Sequence, residues 1–251
     1  MSQDAIFTKK TNDEYLKELE KISIEKLTKK IDLNYKKTVT GFVPTDAIIL
    51  GVRVPDIRSI AREIKKEIPA ISLNLVTSFM DKTISPVTRE LFLLNIFLIT
   101  GFKDFYTDKA LWKKIDVWAD SLLDWEMTDQ LGGMISGEMV VYDLSRTVTL
   151  KKWLKSRSVW KRRLALISTI AGNHKKRKNT QLAIEISRPL MKDKAPNVYK
   201  AVGFALREAC RAGGGKEVFQ FLMSEKNKAN KKTIIESAKK LSEKEQKQLL
   251  V

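Results

Sequence analysis

The sequence holds one cysteine, Cys210, and one histidine, His174, in 251 residues. A lone thiol excludes an internal disulfide and fits a reducing compartment. A lone imidazole removes His-based metal sites and most nucleophile–His triads from consideration. Proline and glycine are scarce too, at 6 and 11 residues, which disfavours a turn-rich all-β chain. No apolar run reaches the roughly 18 residues that a membrane span needs. The opening MSQDAIFTKK lacks the apolar core of a secretory signal. The expectation is a soluble, cytoplasmic protein with no membrane, no metal and no cofactor.

Acidic residues are the other shortage. Lys and Arg total 47 against 30 Asp and Glu, a net charge of +17. From Leu144 to Ile184 there is no acid at all, yet twelve residues are basic: Arg146, Lys151, Lys152, Lys155, Arg157, Lys161, Arg162, Arg163, Lys175, Lys176, Arg177 and Lys178. Unrelieved like charge repels itself, so a one-sign segment makes sense when a polyanion supplies the balance. Nucleic acid is the expected partner. An anionic membrane surface is the alternative, and these segments lack the large apolar face it requires.

What is present is helical periodicity nearly everywhere, with no convincing alternating strand. TNDEYLKELEKI opens with a capping-box pattern, Thr11 with Glu14 three residues on. VPDIRSIAREIKKE places Pro55 in its first turn and Val54, Ile57, Ile60, Ala61 and Ile64 along one face. About a dozen such segments of roughly 10 to 20 residues follow one another, joined by short polar turns. No linker divides them, and GGGK at 213–216 reads as a helix stop. The fold class expected is all-α, antiparallel helix pairs stacked into an α-solenoid with a concave face. It forms one domain over 1–251, with N-terminal capping helices over about 1–50.

The stretch DWEMTDQLGGM, 124–134, departs from the pattern. On a helix, Met127, Leu131, Met134 and Ile135 form a packing stripe, while Trp125, Asp129, Gly132 and Ser136 gather opposite. Two interior glycines, each costing about 1 kcal/mol relative to alanine, ask for a reason. Close approach of a bulky partner is one, and tight helix–helix packing is the other. An indole and a carboxylate one turn apart, with small residues beside them, read either as a DNA-facing groove or as a solvated charge with a tryptophan shielding a neighbouring helix. In SVWKRRLALISTI, Trp160, Leu164, Ile167 and Ala171 read as an apolar seam, with Lys161, Arg162 and Arg163 lying off it. Adjacent guanidinium groups can fix a phosphate backbone. NVYKAVGFALREACR carries Tyr199, Lys200, Gly203 and Phe204, and Arg53 precedes Pro55.

Together these segments resemble the DNA alkylation repair enzyme family, the HEAT-like-repeat alkylpurine DNA glycosylases of the AlkD type. GVRVPDIRSIAREI is similar to the family's Gly-Val-x-x-Pro-x-x-Arg helix start, and DWEMTDQLGG to its Trp-(Asp/Glu)-x-x-Asp signature. WKRRLALIS and YKAVGFALRE resemble two further family helices, and the matches fall in order over about 42–211. The resemblance implies HEAT-like repeats whose basic concave face holds duplex DNA, and excision of N3- or N7-alkylated purines. It puts Asp129 on the catalytic carboxylate, Trp125 on the aromatic flanking the lesion's deoxyribose, and Arg163 on the arginine that holds the DNA backbone. Lys161, Arg162, Lys200, Arg53, Phe204 and Phe42 complete the expected DNA contacts. Phe204 stands where a second tryptophan is typical and Phe42 where some members have tyrosine. The basic loop 174–179 is peculiar to this chain.

Such a reaction needs no metal, redox cofactor or Schiff-base lysine. Two other readings compete: a non-catalytic binder of damaged, bent or branched DNA, and a protein-binding helical scaffold. A monomer suffices for all of them.

Overall fold

The computed structural model describes residues 10–174 and 179–250, and among them the secondary structure is helical. The exceptions are two isolated bridge pairs, Ile48 with Thr88 and Ile84 with Val87. The opening nonapeptide and most of the basic loop expected at 174–179 lie outside the described residues. Two compact units divide the rest. One comprises the chain up to Phe42 with Ala47–Lys103, and the other Val43–Asp46 with the chain from Asp104 onward.

The first unit contains α1 (Asn12–Thr28), α2 (Leu33–Phe42), α3 (Val54–Glu67), α4 (Leu73–Thr83) and α5 (Arg89–Ile99). The capping box expected at Thr11 is present: its side chain accepts from the Glu14 N–H, and Glu14 accepts from the Thr11 N–H at 2.7 Å. Ile57, Ile60, Ala61 and Ile64 of α3 are buried as their spacing predicts. They pack on α1 and α5, and α4 closes the group. In α5, RELFLLNIFLI, only Leu91 escapes full burial, the signature of a core helix.

Its first two residues are a charged pair with no solvent exposure, Arg89 Nη1 donating to Glu90 Oε1 at 3.0 Å. Glu90 also accepts the N–H groups of Leu50 at 2.9 Å and Gly51 at 3.0 Å, so a buried carboxylate pins the loop that leads into α3. Gly51 has φ +99, and a Cβ there would lie 2.6 Å from that of Lys36, so the turn requires glycine.

The second unit contains α6 (Lys109–Trp118), α7 (Trp125–Leu131), α8 (Gly137–Tyr142), α9 (Thr147–Trp153), α10 (Val159–Ile167), α11 (Ile170–His174), α12 (Thr180–Ser187), α13 (Pro196–Ala209), α14 (Gly215–Glu225), α15 (Lys231–Ala238) and α16 (Glu243–Leu250). They stack in pairs. α7 packs on α10, α10 on α13 and α13 on α15, while α9, α12 and α14 back this ladder in turn. Such pairing is the packing of an α-solenoid, as the sequence leads one to expect. Leu164, Val198, Val202, Leu206 and Ile234 fill the seams between rungs. The helix stop at GGGK is real: Gly213 takes φ +97 and α14 begins at Gly215. Several helices are shorter than their periodicity implies, α7 and α9 having 7 residues each. The residues placed on one regular helix from Trp125 to Ser136 instead form α7 and a π-helical turn over Gly132–Ser136, with α8 following.

Candidate active site

The site is built where α7 meets α10. Asp124 starts α7 as its N-cap, its side chain accepting the Met127 N–H at 2.7 Å. That cap makes Trp125 the first helical residue and sets Asp129 one turn later. Met127 and Leu131 are fully buried on the far side, as the packing stripe requires.

What faces Asp129 is α10. A Cβ on Gly132 would stand 2.7 Å from Ile167 Cγ2, so glycine is what lets the two helices touch. Ser136 is buried as well, its hydroxyl 2.6 Å from that of Ser168. Of the two reasons the sequence offers for a small residue here, tight helix packing is the one seen at Gly132 and Ser136, and the room expected beside Asp129 is filled. These residues do share a face with Asp129, but the occupant is a neighbouring helix. Gly133 faces open space, with nothing within 4 Å of the position of a Cβ.

Docking α10 this closely brings Arg163, one turn before Ile167, onto Asp129. Its Nε donates to Asp129 Oδ1 and its Nη2 to Oδ2, both at 2.7 Å, a two-pronged pair. Nη1 donates to the Asn197 carbonyl at 2.7 Å, tying the same guanidinium to the start of α13. The Arg163 side chain is 9% exposed and that of Asp129 is 21%, so the carboxylate is the member that reaches solvent. Burial raises the Asp129 pKa above the ordinary carboxylate value. The Arg163 guanidinium pulls against that rise, and the nearby Asp124 adds to it.

Beside the pair lies an open hollow of about 390 Å³. It is lined by Trp125, Trp160, residues 44–46, Leu123 and Asn197. Asn197 belongs both to the hollow and to the Arg163 contact. Trp160 is half-buried, whereas Leu164, Ile167 and Ala171 are buried. The apolar seam read from the sequence is thus correct for three members and wrong for Trp160, which turns to the hollow.

The sequence pattern of the family described as DNA alkylation repair enzyme matches residues 23–241. The chain belongs to that family. A solved structure of a predicted DNA alkylation repair enzyme from Enterococcus faecalis is 15% identical, with a TM-score of 0.69 over 84% of this chain and 96% of that one. At that identity the likeness shows the shared all-α fold. No curated protein matches the chain. Membership assigns a role in DNA alkylation repair, with DNA as the partner. Among the described residues no helix is long and apolar enough to cross a membrane, and no group of His, Cys, Asp or Glu could hold a metal ion.

The remaining residues singled out from the sequence of this family member are dispersed. Arg162 donates to Asp193 at 2.8 Å and to the Ser156 carbonyl at 2.8 Å, bracing the start of α10. Lys161 pairs with Asp120 at 2.7 Å and Asp116 at 3.5 Å. Phe204 lies two turns beyond Asn197 on the same side of α13, with the Arg207 guanidinium 5.8 Å from its ring centre. Gly203 beside it accommodates Glu236 of α15, a packing role. Lys200 is exposed. In the first unit, Arg53 bonds Asp32 at 2.9 Å and lies 4.6 Å from the Tyr35 ring centre, and Phe42 is 71% exposed.

The acid-free segment is also less bare than it reads. Arg146, Lys151, Lys152, Lys161, Arg162 and Arg163 all pair with acids from outside it: Asp143, Glu185, Asp116, Asp120, Asp193 and Asp129. A polyanion is not needed to explain these six. Lys155 and Arg157 are exposed, and residues 175–178 lie outside the described chain.

Proposed function

We propose that the protein is a DNA glycosylase that hydrolyses the N-glycosidic bond of N3- or N7-alkylated purines in duplex DNA, acting as a monomer. The observation that carries this reading is the Asp129 carboxylate, held in a two-pronged grip by a buried arginine beside a hollow whose lining includes Trp125 and Trp160. An alkylated purine already carries positive charge and leaves without a strong general acid. The deficit is at C1′, where an oxocarbenium-like cation develops as the C1′–N bond breaks and its electron pair neutralises the purine.

A preformed anion aimed at that charge stabilises the transition state more than the ground state. Each Asp129 oxygen gives one acceptor position to Arg163 and keeps another. One oriented water can therefore bond there, attack C1′ and lose its proton to the carboxylate. A pKa raised by burial makes Asp129 a better proton acceptor than a solvated aspartate. Trp125 supplies a π face against the sugar, a contribution of about 0.5 to 2 kcal/mol by analogy with cation–π pairs.

Arg163 holds the carboxylate in place. Three of its five N–H groups are committed within the protein, and the other two are what it has for a DNA phosphate. Lys155, Arg157, Lys200 and Arg53 supply attraction independent of sequence.

The second reading, a binder that cuts nothing, draws on the same pair: both Asp129 oxygens already carry a guanidinium contact. Incubation of the purified protein with methylated duplex DNA, followed by chromatography of released bases, separates the two. Free 3-methyladenine or 7-methylguanine is the expected product. Tight, salt-sensitive binding with no free base would establish the binder.

A further inference from the structure

We infer that Asp193 is a positioning residue for the Asp129 carboxylate, acting through the turn that hands the Asn197 carbonyl to Arg163. This rests on the glycosylase reading for the reaction it serves, and no motif read from the sequence contains Asp193. The residue stands in Lys192-Asp193-Lys194, between α12 and α13. Both lysines are exposed, whereas the aspartate is mostly buried and reaches α10. Its Oδ2 accepts the Arg162 Nε–H at 2.8 Å. Its Oδ1 accepts the Ala195 N–H at 2.9 Å, closing a turn that leads into Pro196, the first residue of α13. Asn197 comes next, and its carbonyl takes the Arg163 Nη1–H at 2.7 Å. The adjacent arginines of α10 thus hold the two ends of one turn. Asn230, the cap of α15, holds it as well: its N–H donates to the Met191 carbonyl at 2.9 Å and its side chain to the Asp193 carbonyl at 3.3 Å.

A guanidinium is a rigid plane, so fixing one prong fixes the direction of the others. Arg163 spends Nε and Nη2 on Asp129 and Nη1 on Asn197. With the carbonyl out of place, the plane can pivot at the end of its long side chain, and the carboxylate loses its aim. A shift of about 1 Å can slow a reaction about a hundredfold. Asp193 sets the carbonyl's place because it ties the turn both to α10 and to its own backbone. An ordinary surface ion pair would be solvated and easily replaced. Here the partners are only 12% and 16% exposed.

The test reads the grip itself. In nitrogen-15-labelled protein, NMR follows exchange of the Arg163 Nε–H with solvent, its signal assigned by its absence in Arg163→Lys. The Trp153 Nε1–H, bonded to Asp116 at 2.7 Å, is the internal control for the fold. Asp193→Asn keeps an acceptor for Ala195 and loses the charge that holds Arg162, and Arg162→Gln breaks the same pair from the other side. Each should quicken exchange at Arg163 about tenfold or more and leave Trp153 within about twofold, as loss of a charged hydrogen bond implies. Single-turnover release of 7-methylguanine should slow by about 3- to 30-fold with duplex affinity within about threefold of wild type. Asp193→Glu, which keeps the charge, should restore part of both.

Exchange at Arg163 that stays at the wild-type rate, exchange that quickens equally at Trp153, or quickened exchange with unchanged release would each overturn the proposal. The exchange measurement also keeps the two readings apart. With no release even from wild type, the glycosylase reading falls, and quickening confined to Arg163 still upholds the positioning of Asp129. Release from wild type with neither exchange nor release altered in the variants removes the role of Asp193 alone.

Discussion

At the scale of single residues, the account turns on one carboxylate and the arginine that holds it. Because burial raises the Asp129 pKa, the anion that the proposed mechanism needs is lost as pH falls through a value above the ordinary one of about 3.9. The pH profile of base release, corrected for spontaneous depurination, should therefore show an acid limb displaced upward. Arg163 opposes that rise, so Arg163→Gln should move the limb to higher pH as well as slow the reaction. Arg163→Lys, which keeps the charge but not the fork, should move it less. An arginine that merely supports the fold would leave the limb in place.

Asp129 and Trp125 were legible in the sequence because they break a packing pattern inside one short segment. The partnership with Arg163 was not, since 34 positions separate the two and only the docking of α10 joins them. Trp160 was misread for a related reason. Helical spacing says which residues share a side but not where a neighbour ends, and α10 emerges from its packing just at that tryptophan.

At the scale of elements, the two glycines after Asp129 have opposite surroundings although they are adjacent in sequence. Gly132→Ala forces a methyl into Ile167 and Leu164 and should destabilise the protein by about 1 to 3 kcal/mol, the usual cost of overpacking. Gly133→Ala meets nothing, and should be neutral or stabilising by up to about 1 kcal/mol through helix propensity and the unfolded chain. Urea denaturation of both variants checks the contrast. Equal effects would mean that the α7–α10 contact is not as close as described. Helix identity, the Thr11 capping box and the α3 stripe were readable because local chemistry fixes them. The π-helical turn was not, because Gly-Gly is equally compatible with a regular helix and nothing in the local sequence distinguishes the two.

At the scale of the molecule, charge is the property that sequence most overstated. Twelve basic residues in a row without an acid look like one DNA-binding stripe. In space six of them are paired with carboxylates from outside the segment. The contribution of the described part of the segment should therefore come from Lys155 and Arg157. Replacing either with glutamine should weaken binding equally on methylated and plain duplexes and flatten the log–log salt dependence by about 0.9 per residue. Lys161→Gln should disturb the α10 anchorage through Asp116 and Asp120 and change the salt slope little. The fold class, by contrast, was legible from scarcity of turn residues and from periodicity, both of which are summed over the whole chain.

The central claim joins these scales, since the molecule must hold DNA with one set of groups and cut a bond with another. Asp129→Asn, which keeps the shape and removes the charge, tests it most directly when release of 7-methylguanine and duplex affinity are measured on the same preparation. The account predicts release reduced by at least about a hundredfold, in line with the loss of a group that stabilises transition-state charge, with affinity changed by less than about threefold, under 0.7 kcal/mol. Release that continues at the wild-type rate, or affinity that collapses together with release, would contradict it.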